Sequence, residues 1–246
     1  MRKNFKLTIE YDGTCYHGWQ RQSKEPTIQE EIEKALERMT GQKIFLKGSG
    51  RTDAGVHAYG QVANFHCETA LSAEVFLKGL NSLLPKDIVI KACEIVPEHF
   101  HARYSAESKT YVYRILNRHL PSAIGRQYAW HIRTPLDEQA MRQALGYIIG
   151  THDFKAFEGA GSPRASTTRT VIEAKIFRED LDYLVIQITA NGFLRFMARN
   201  IVGTLVHVGA GKLTPDDFKS ILMSRNRRQA GATAPPHGLF LMKVEY

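Results

Sequence analysis

The stretch "KIFLKGSGRTDAGVHAYGQVANFHCE", residues 43–68, joins two apolar runs through a glycine-rich segment. Its two ends, "KIFLKG" and "GQVANFHCE", alternate Ile, Phe or Val with smaller and polar residues and predict two strands. Glycines at this density specify the backbone shape of the segment between them, so the charged Arg51 and Asp53 are held in defined positions. Two strands joined in this way form the centre of a β-α-β-β-α-β unit if a helix lies on each side of them in the chain.

Both flanking helices are present in the pattern. "TIQEEIEKALERM", residues 27–39, carries apolar residues at helical spacing, and Thr27 with Glu30 predicts a capping box at its start. "SAEVFLKGLNSLL", residues 72–84, predicts the second helix. The outer strands are "NFKLTIEY", residues 4–11, and "DIVIKACEIV", residues 87–96. This order is the split β-α-β order of a ferredoxin-like unit.

The second half repeats this order loosely. Its predicted strands are "KTYVYRIL", "RTVIEAKIF", "DYLVIQITA" and "GLFLMKVEY". Helices are predicted for residues 134–150 with Thr134 as N-cap, for 191–209, and for 214–224 with Thr214 as N-cap. We therefore expect a mixed α/β protein of the α+β class with two ferredoxin-like halves, 1–105 and 106–246. The halves are expected to join into one mixed, mainly antiparallel sheet with a basic cleft between them.

Composition bounds the kind of partner. The 246 residues are 43% hydrophobic and 24% charged, as in ordinary globular proteins, but the net charge of +8 suits a polyanion, most simply nucleic acid. A basic enzyme with another substrate is compatible with the same charge. Two further basic stretches stay open at this point. "GAGSPRAST", residues 159–167 with Arg164, is either a linker or an RNA-contacting flap, and "SRNRRQ", residues 224–229, is either a solvated loop or a phosphate-binding one.

Cysteine and histidine spacing predicts neither disulfides nor a metal. Cys15, Cys67 and Cys93 are widely spaced, and no CxxC, HxxxH or HExxH pair occurs, so His99 and His101 are not expected to be ligands. No apolar stretch has the length of a signal peptide or a membrane span, and we expect a cytoplasmic protein with reduced thiols that contacts no membrane.

The loop around Asp53 is not a known phosphate-binding motif. Val56 and His57 replace the Lys-Ser/Thr of a P-loop, and Asp53 occupies the last glycine position of a dinucleotide fingerprint. On spacing alone, Asp53 is interpreted as a turn residue, because aspartate often bonds its own backbone in such loops. The alternative is a catalytic carboxylate.

Two other stretches favour the catalytic interpretation. On the helix predicted for 191–209, which is apolar almost all round, Arg195 and Arg199 stand one turn apart, and a buried guanidinium needs an anionic partner. Arg199 could pair with Asp53 and keep it ionised, pair with a structural carboxylate, or reach solvent. On the strand "KTYVYRI", Tyr111 and Tyr113 share a face, which is typical of a core and also of a surface on which a flipped base stacks.

Together these stretches resemble the bacterial tRNA pseudouridine synthase A family over essentially the whole chain. The matching motifs are "YDGTCYHGWQ", "TIQEEIEKAL", "GRTDAGVHA", "FHARYSAESKTYVYRI", "GTHDFKAF", "TTRTV", "FLRFMARNIVG" and "GLFLMKVEY". The "GRTDAGVHA" match is the most specific. One departure is Tyr16, where the family usually has phenylalanine, and we expect this change to be tolerated in packing.

The resemblance implies isomerisation of uridine to pseudouridine in the anticodon stem-loop of tRNA, at positions 38, 39 and 40. It also implies a homodimer that binds one tRNA across both subunits, without a cofactor or a metal. By resemblance, Asp53 is the catalytic aspartate and Arg51 enters the RNA helix and supports the flipped nucleotide. Tyr111 stacks on the target base, and Arg199 pairs with the aspartate.

The reaction explains these residue types. It breaks the N1–C1′ bond, turns the uracil and joins C5 to C1′, so it needs no redox cofactor, but the base must first leave the stack. The carboxylate could attack C1′, attack C6 of the base, or act as a base at C2′. The alternatives are an RNA-binding module without chemistry, a paralogue with other target uridines, and a retaining glycosidase. The last requires two carboxylates roughly 5 Å apart, whereas the resemblance gives a catalytic role to Asp53 alone.

Overall fold

The structure is a computed structural model that describes residues 2–161, 166–180 and 182–246. The chain divides into two compact units, Met1–Glu107 with Phe240–Tyr246, and Ser108–Leu239. The first contains β1 (Arg2–Tyr11), α1 (Ile28–Thr40), β2 (Lys47–Gly48), β3 (His57–Glu68), α2 (Ala73–Leu83) and β4 (Ile88–Val96). The second contains β5 (Ser108–Asn117), β6 (Trp130–Ile132), α3 (Glu138–Gly146), β7 (Gly150–Asp153), β8 (Thr168–Arg178), β9 (Tyr183–Ala190), α4 (Met197–Gly209) and α5 (Pro215–Ser224), and β10 (Leu239–Glu245) follows. Single-turn helices lie at Arg126–Tyr128, Phe154–Phe157, Arg227–Gln229 and Pro236–Gly238. Both units combine strands with helices, which confirms the α+β class.

The sheet of the first unit has the ferredoxin-like order. β1 lies between β4 and β3 and is antiparallel to both, and β2 pairs with the far edge of β3. β10 pairs in parallel with the same edge through Phe240 and Leu241, opposite His57 and Ala58. The sequence assigns this closing strand to the half 106–246, but residues 240–246 cluster with the first unit because of this pairing. The division at residue 105, and the joining of the halves around a basic cleft, stay predictions.

Aromatic rings fill the core of the first unit. Phe5 of β1, Phe65 of β3 and Phe76 of α2 are fully buried, with ring centroids 4.8–5.4 Å apart. The predicted strand at 43–48 shrinks to β2, because the main chain of Leu46 bonds to side chains of α1 instead of a strand. Its amide donates to Glu33, and its carbonyl accepts from Gln29. The N-terminal half of α1 is thereby fixed to the segment that leads into the glycine-rich loop.

The predicted capping box at α1 is wrong. Thr27 is the N-cap, but its Oγ1 is buried without a hydrogen-bond partner among the described residues. The first amides of the helix, those of Ile28 and Gln29, donate instead to the carbonyls of Gly18 and Trp19, at 3.2 and 3.1 Å. The loop before α1 therefore caps the helix with main-chain carbonyls, and a threonine hydroxyl is not needed for it.

In the second unit, β5, β9, β8 and β7 form an antiparallel sheet in that order, and β6 runs parallel to β5. Two helix starts differ from the sequence prediction. α3 begins three residues later than a Thr134 cap implies, because Asp137 accepts from the amide of Ala140 at 3.0 Å. α4 begins at Met197, after Phe196 adopts a left-handed conformation with φ of 61°. The Thr214 cap of α5 is confirmed, with a complete capping box to Asp217.

The helix α4 is buried almost all round, as its composition predicts. Its close packing is visible at Gly203, where an added Cβ would lie 1.8 Å from the carbonyl oxygen of Ala232. None of the helices in the described part of the chain has both the length and the apolar character of a membrane span.

Candidate active site

Asp53 lies on the loop between β2 and β3, residues 49–56, and is half-buried. A tight turn follows it directly: the amide of Val56 donates to the main-chain carbonyl of Asp53 at 3.2 Å, and Gly55 has a φ of 75°. This left-handed conformation suits glycine, which has no Cβ to clash with the backbone. The carboxylate is therefore carried at the beginning of a turn with a defined backbone.

Two glycines outside the loop let the chain pass directly against it. An added Cβ at Gly13 would lie 2.0 Å from the carbonyl oxygen of Val56, and one at Gly18 would lie 2.5 Å from that of Thr52. Gly18 also has a φ of 89°. Sequence reasoning did not single out these glycines, although the "YDGTCYHGWQ" motif that holds both was noted. They show that residues 11–20 form the cradle of the Asp53 loop.

Hydrogen bonds join the cradle to the loop. The amide of Trp19 donates to the carbonyl of Thr52 at 3.1 Å, and the amide of Gly55 donates to the carbonyl of Tyr16 at 3.3 Å. Tyr16 is itself buried, and its hydroxyl donates to Asp87 Oδ1 at 2.7 Å. Burial, with the neighbouring Asp87 carboxylate, raises the pKa of this hydroxyl. Tyr16 is therefore accommodated and adds a hydrogen bond that phenylalanine could not make.

Buried polar side chains fix the loop from the sheet side. The Tyr11 hydroxyl and Thr52 Oγ1 are 2.8 Å apart, and burial raises the pKa of Tyr11. Gln61 Nε2 donates to the carbonyl of Gly50 at 3.0 Å, while its Oε1 accepts from Ser49 Oγ at 2.7 Å. Buried polar groups paired in this way hold one arrangement, because a broken pair would leave an unsatisfied group. The main chain is thus anchored on the N-terminal side of Asp53.

Arg51 lies two residues before Asp53 and is exposed. Its Nε donates to Oε1 of Gln20, the last residue of the cradle, at 3.1 Å. The loop therefore presents a cation and a carboxylate from one short segment, and the cation is held by a side chain from the "YDGTCYHGWQ" motif.

The histidine that ends the glycine-rich stretch is a packing residue in the first unit. His57 is buried, its ring stacks on Phe240 with centroids 4.8 Å apart, and its Nδ1 lies 3.0 Å from both the amide of Gly13 and Asp12 Oδ1. Across residues 2–161, 166–180 and 182–246, no group of three or more His, Cys, Asp or Glu side chains has a geometry that could hold a metal ion.

In the second unit, the two tyrosines of β5 differ in their surroundings. Tyr113 is 1% exposed, and its hydroxyl donates to the carbonyl of Pro235 at 2.8 Å, so it is a core residue. Burial raises its pKa, and the charge of Arg199 partly opposes the shift. Tyr111 is 9% exposed and packs edge-to-face on Phe193, with centroids 4.8 Å apart. Tyr111 is therefore the tyrosine at the border of the core.

Arg199 lies in the first turn of α4 and is half-buried. Its Nε donates to the carbonyl of Ala234 at 2.8 Å, and the Ala234 amide donates back to the Arg199 carbonyl at 3.1 Å. Its guanidinium lies over the ring of Phe196, 5.1 Å from the centroid. The hydrogen bond to Ala234 and the cation–π contact with Phe196 thus help to orient the side chain.

Arg195 is not on α4, so the prediction that Arg195 and Arg199 stand one turn apart on one helix is wrong. The left-handed Phe196 separates Arg195 from the helix. Arg195 is exposed, donates from Nη1 to the carbonyl of Ala160 at 2.9 Å, and lies 4.7 Å from the Phe196 centroid. Two guanidinium groups therefore contact one phenylalanine ring.

The basic run at 224–229 is partly structural. Arg227 Nη1 donates to the carbonyls of Ala230 and Gly231 at 3.2 and 3.0 Å, and burial lowers its pKa. Arg225 forms an ion pair with Asp153, with 3.2 Å between Nε and Oδ2. Arg227 therefore stabilises the loop from within, whereas Arg225 is exposed and pairs at the surface.

Each unit brings part of the predicted site together. Arg51 and Asp53 share one loop in the first unit, and Tyr111 and Arg199 are each held beside a phenylalanine in the second. The predicted pairing of Asp53 with Arg199, and the stacking role of Tyr111, involve both units and stay predictions. Arg164 of the 159–167 loop lies outside the described residues.

Comparison with known proteins points to one family. A family model described as tRNA pseudouridine synthase matches residues 7–105 and 144–246. A protein named tRNA pseudouridine synthase A from Thermoanaerobacter sp. (strain X514) is 49% identical over 244 residues, which cover 99% of this chain and 100% of that protein. Another of the same name, from Acetivibrio thermocellus, is 47% identical over the same shares. A chain in a solved structure of an archaeal box H/ACA sRNP Nop10-Cbf5 complex aligns with 91% of this chain and 59% of its own length, at 12% identity. The TM-score of 0.34 is too low to bear on fold or function.

Proposed function

This chain belongs to the tRNA pseudouridine synthase family and is an isomerase of tRNA uridine, and we propose that its targets are positions 38, 39 and 40 of the anticodon arm, with Asp53 as the catalytic residue. One observation carries the assignment to Asp53: its loop is fixed by buried polar groups and by two glycines that let another segment lie against it. Such anchoring is expected where a reacting group must be held within a fraction of an ångström.

The reaction is an internal rearrangement of the nucleotide. The N1–C1′ bond breaks, the uracil turns, C5 bonds to C1′, the C5 proton leaves, and N1 ends protonated, so atoms and electrons balance. The Asp53 carboxylate serves as the nucleophile at C1′, as the nucleophile at C6, or as the base at C2′. Each route requires an ionised carboxylate at a fixed distance from the atom that it attacks or deprotonates.

Arg199 is proposed to keep that carboxylate ionised. A guanidinium beside an aspartate favours the charged form. With Nε committed to Ala234, the guanidinium plane is set, and the N–H donors of its two terminal amino groups can address both oxygens of a carboxylate. This geometry suits a pairing partner for Asp53.

Tyr111 is proposed to stack on the flipped uracil. Its edge-to-face contact with Phe193 fixes the ring, and an ordered aromatic ring binds a base at little conformational cost. A tyrosine in this position also lies close to C5, whose proton must leave at the end of the reaction.

The remaining proposals concern the substrate. Arg51 is proposed to enter the RNA helix and support the nucleotide while it is out of the stack. The net charge of +8 supplies general attraction to the phosphate backbone. We further propose a cytoplasmic homodimer that binds one tRNA across both subunits and requires neither metal nor cofactor.

Tritium release from tRNA labelled at uracil C5 tests the proposal. Wild-type protein should release tritium from a transcript with uridine at 38, 39 or 40, and Asp53→Asn should not, while it still binds the tRNA, because the two side chains are nearly isosteric. Release by Asp53→Asn would remove this residue from the mechanism. Tight binding without release by wild type would favour an RNA-binding module, or a paralogue with other target uridines.

A further inference from the structure

We infer that Gln20 is a positioning residue for Arg51, and that it is oriented by a chain of hydrogen bonds that begins at the buried carboxylate of Glu33. The residues of this relay are Arg51, Gln20, Gln29 and Glu33. The inference rests on the proposed function, because that function gives Arg51 its role at the flipped nucleotide.

The relay connects helix α1 to the Asp53 loop through consecutive hydrogen bonds. Glu33, 4% exposed on α1, accepts from Gln29 Nε2 at 2.9 Å and from the amide of Leu46 at 2.9 Å, both through Oε1. Gln29, 7% exposed, accepts from Gln20 Nε2 at 2.7 Å. Gln20 then accepts from Arg51 Nε at 3.1 Å.

The orientation of the Gln29 amide is set at both of its ends. Its Nε2 faces two acceptors, Glu33 Oε1 and the Leu46 carbonyl, while its Oε1 faces two donors, Gln20 Nε2 and the amide of Arg21 at 3.0 Å. A reversed amide would place oxygen against oxygen on one side and N–H against N–H on the other. The acceptor-only carboxylate of Glu33 therefore determines which end of Gln29 points towards Gln20.

The orientation of the Gln20 amide is fixed in the same way. Because Gln29 presents an oxygen, Gln20 must turn its amide nitrogen inward, and its oxygen is left for Arg51. A reversed Gln20 would present N–H to the Nε–H of Arg51, which has no acceptor. The identity of a buried group on α1 thus fixes an acceptor for an exposed arginine on another segment.

A fixed acceptor at Nε orients the whole guanidinium. The group is planar, and Nε–H is one of its five donors, so holding this atom leaves the terminal amino groups for the RNA and restricts the directions they can take. Arg51 is otherwise an exposed, flexible side chain that loses conformational freedom when it binds. Preorganisation through Gln20 lowers that loss at the step where the nucleotide leaves the stack.

The test compares Gln20→Met with Gln22→Met in single-turnover tritium release at saturating tRNA. Methionine keeps the length of glutamine but removes both hydrogen-bonding atoms. Gln22 lies in the same "GWQRQ" stretch, is exposed, and bonds only to the His17 carbonyl among the described residues, at 2.8 Å. We expect Gln20→Met to lose about tenfold in rate through mispositioning, with tRNA affinity and melting temperature close to wild type, and Gln22→Met to lose nothing.

A double-mutant cycle with Arg51→Ala separates positioning from packing. If Gln20 acts through Arg51, Gln20→Met adds no further loss in the Arg51→Ala background, and fluorescence of 2-aminopurine beside the target uridine falls to the same extent in Arg51→Ala and in the double variant. Gln29→Met should reproduce the rate loss from one link further away, because it removes the acceptor that orients Gln20.

Multiplicative losses, or a wild-type rate for Gln20→Met, would overturn the inference while leaving the proposed function intact. An inactive wild-type protein would instead overturn the proposed function itself.

Discussion

The Asp53 loop and the segment 193–199 place their site residues by different means. In the first unit, backbone lies against backbone at Gly13 and Gly18, and buried hydrogen bonds hold the loop. In the second, side chains stack: two guanidinium groups contact the Phe196 ring, which stands on a left-handed backbone. Two main chains in direct contact cannot accommodate an added methyl group without moving, whereas stacked side chains can shift slightly. We therefore expect substitutions in the first region to remove most of the reaction rate, and those in the second to lower the rate only in part.

Gly13→Ala should have the largest effect. Its Cβ would lie 2.0 Å from the Val56 carbonyl oxygen, so the loop must move by more than an ångström, which should lower the rate by on the order of a hundredfold or more. Tritium release by the folded fraction, checked by circular dichroism, measures this. Gly146→Ala is the matched control, because an added Cβ there meets nothing within 4 Å. A fully active Gly13→Ala protein would contradict the claim that the Asp53 loop does not tolerate a shift of its backbone.

Arg199→Ala should have a smaller effect. It removes a charge-assisted contact from the proposed carboxylate, worth about 2 kcal/mol, which corresponds to roughly thirtyfold in rate. Single-turnover tritium release, with tRNA binding as the control, checks this. A wild-type rate would make Arg199 purely structural.

Phe196→Leu should cost less again. It keeps an apolar side chain but removes the ring that both Arg195 and Arg199 contact. At roughly 0.5 kcal/mol for each pair, or about 1 kcal/mol together, we expect about a fivefold lower rate. The measurement is single-turnover tritium release, with tRNA binding as the control. A rate loss as large as that of Gly13→Ala would show that the rate depends as strongly on this segment as on the Asp53 loop, and would remove the distinction between the two regions.

Tyr16→Phe should have the smallest effect and should change stability alone. It removes the hydrogen bond to Asp87, worth about 1 kcal/mol, while the main-chain contact from Tyr16 to Gly55 stays. The melting temperature should fall by a few degrees and the rate should not change. A clear rate loss would mean that the side chain of Tyr16, and not only its backbone, helps to hold the loop.

The sequence predicted the order of the main strands and helices because their periodicity is local. It failed at three helix starts. The carbonyls of Gly18 and Trp19 cap α1 in place of Thr27, and this outcome depends on which segment lies beside the helix end. At the other two starts the cause is local: Asp137 caps α3 three residues after Thr134, and Phe196 adopts a left-handed backbone directly before α4. Apolar periodicity predicts a helix but does not choose among neighbouring cap positions.

For the site, the glycine-rich stretch drew attention to Arg51 and Asp53, but spacing alone favoured a turn, and the roles proposed for them come from the family resemblance. Their supports were not identified, since the importance of Gly13, Gly18 and Gln20 follows only once the cradle is known to lie against the loop.

The pairing of β10 with β3 has a consequence for synthesis on the ribosome. Phe240 and Leu241 join His57 and Ala58 immediately after the Asp53 loop, and the Tyr246 hydroxyl donates to the Ala102 carbonyl at 2.7 Å. The unit that carries Asp53 therefore cannot complete its sheet until residues 240–246 have emerged, long after residues 1–107 have been translated. A nascent chain therefore cannot finish the unit that carries Asp53 early, and a translation product truncated before residue 240 lacks the closing strand of that unit.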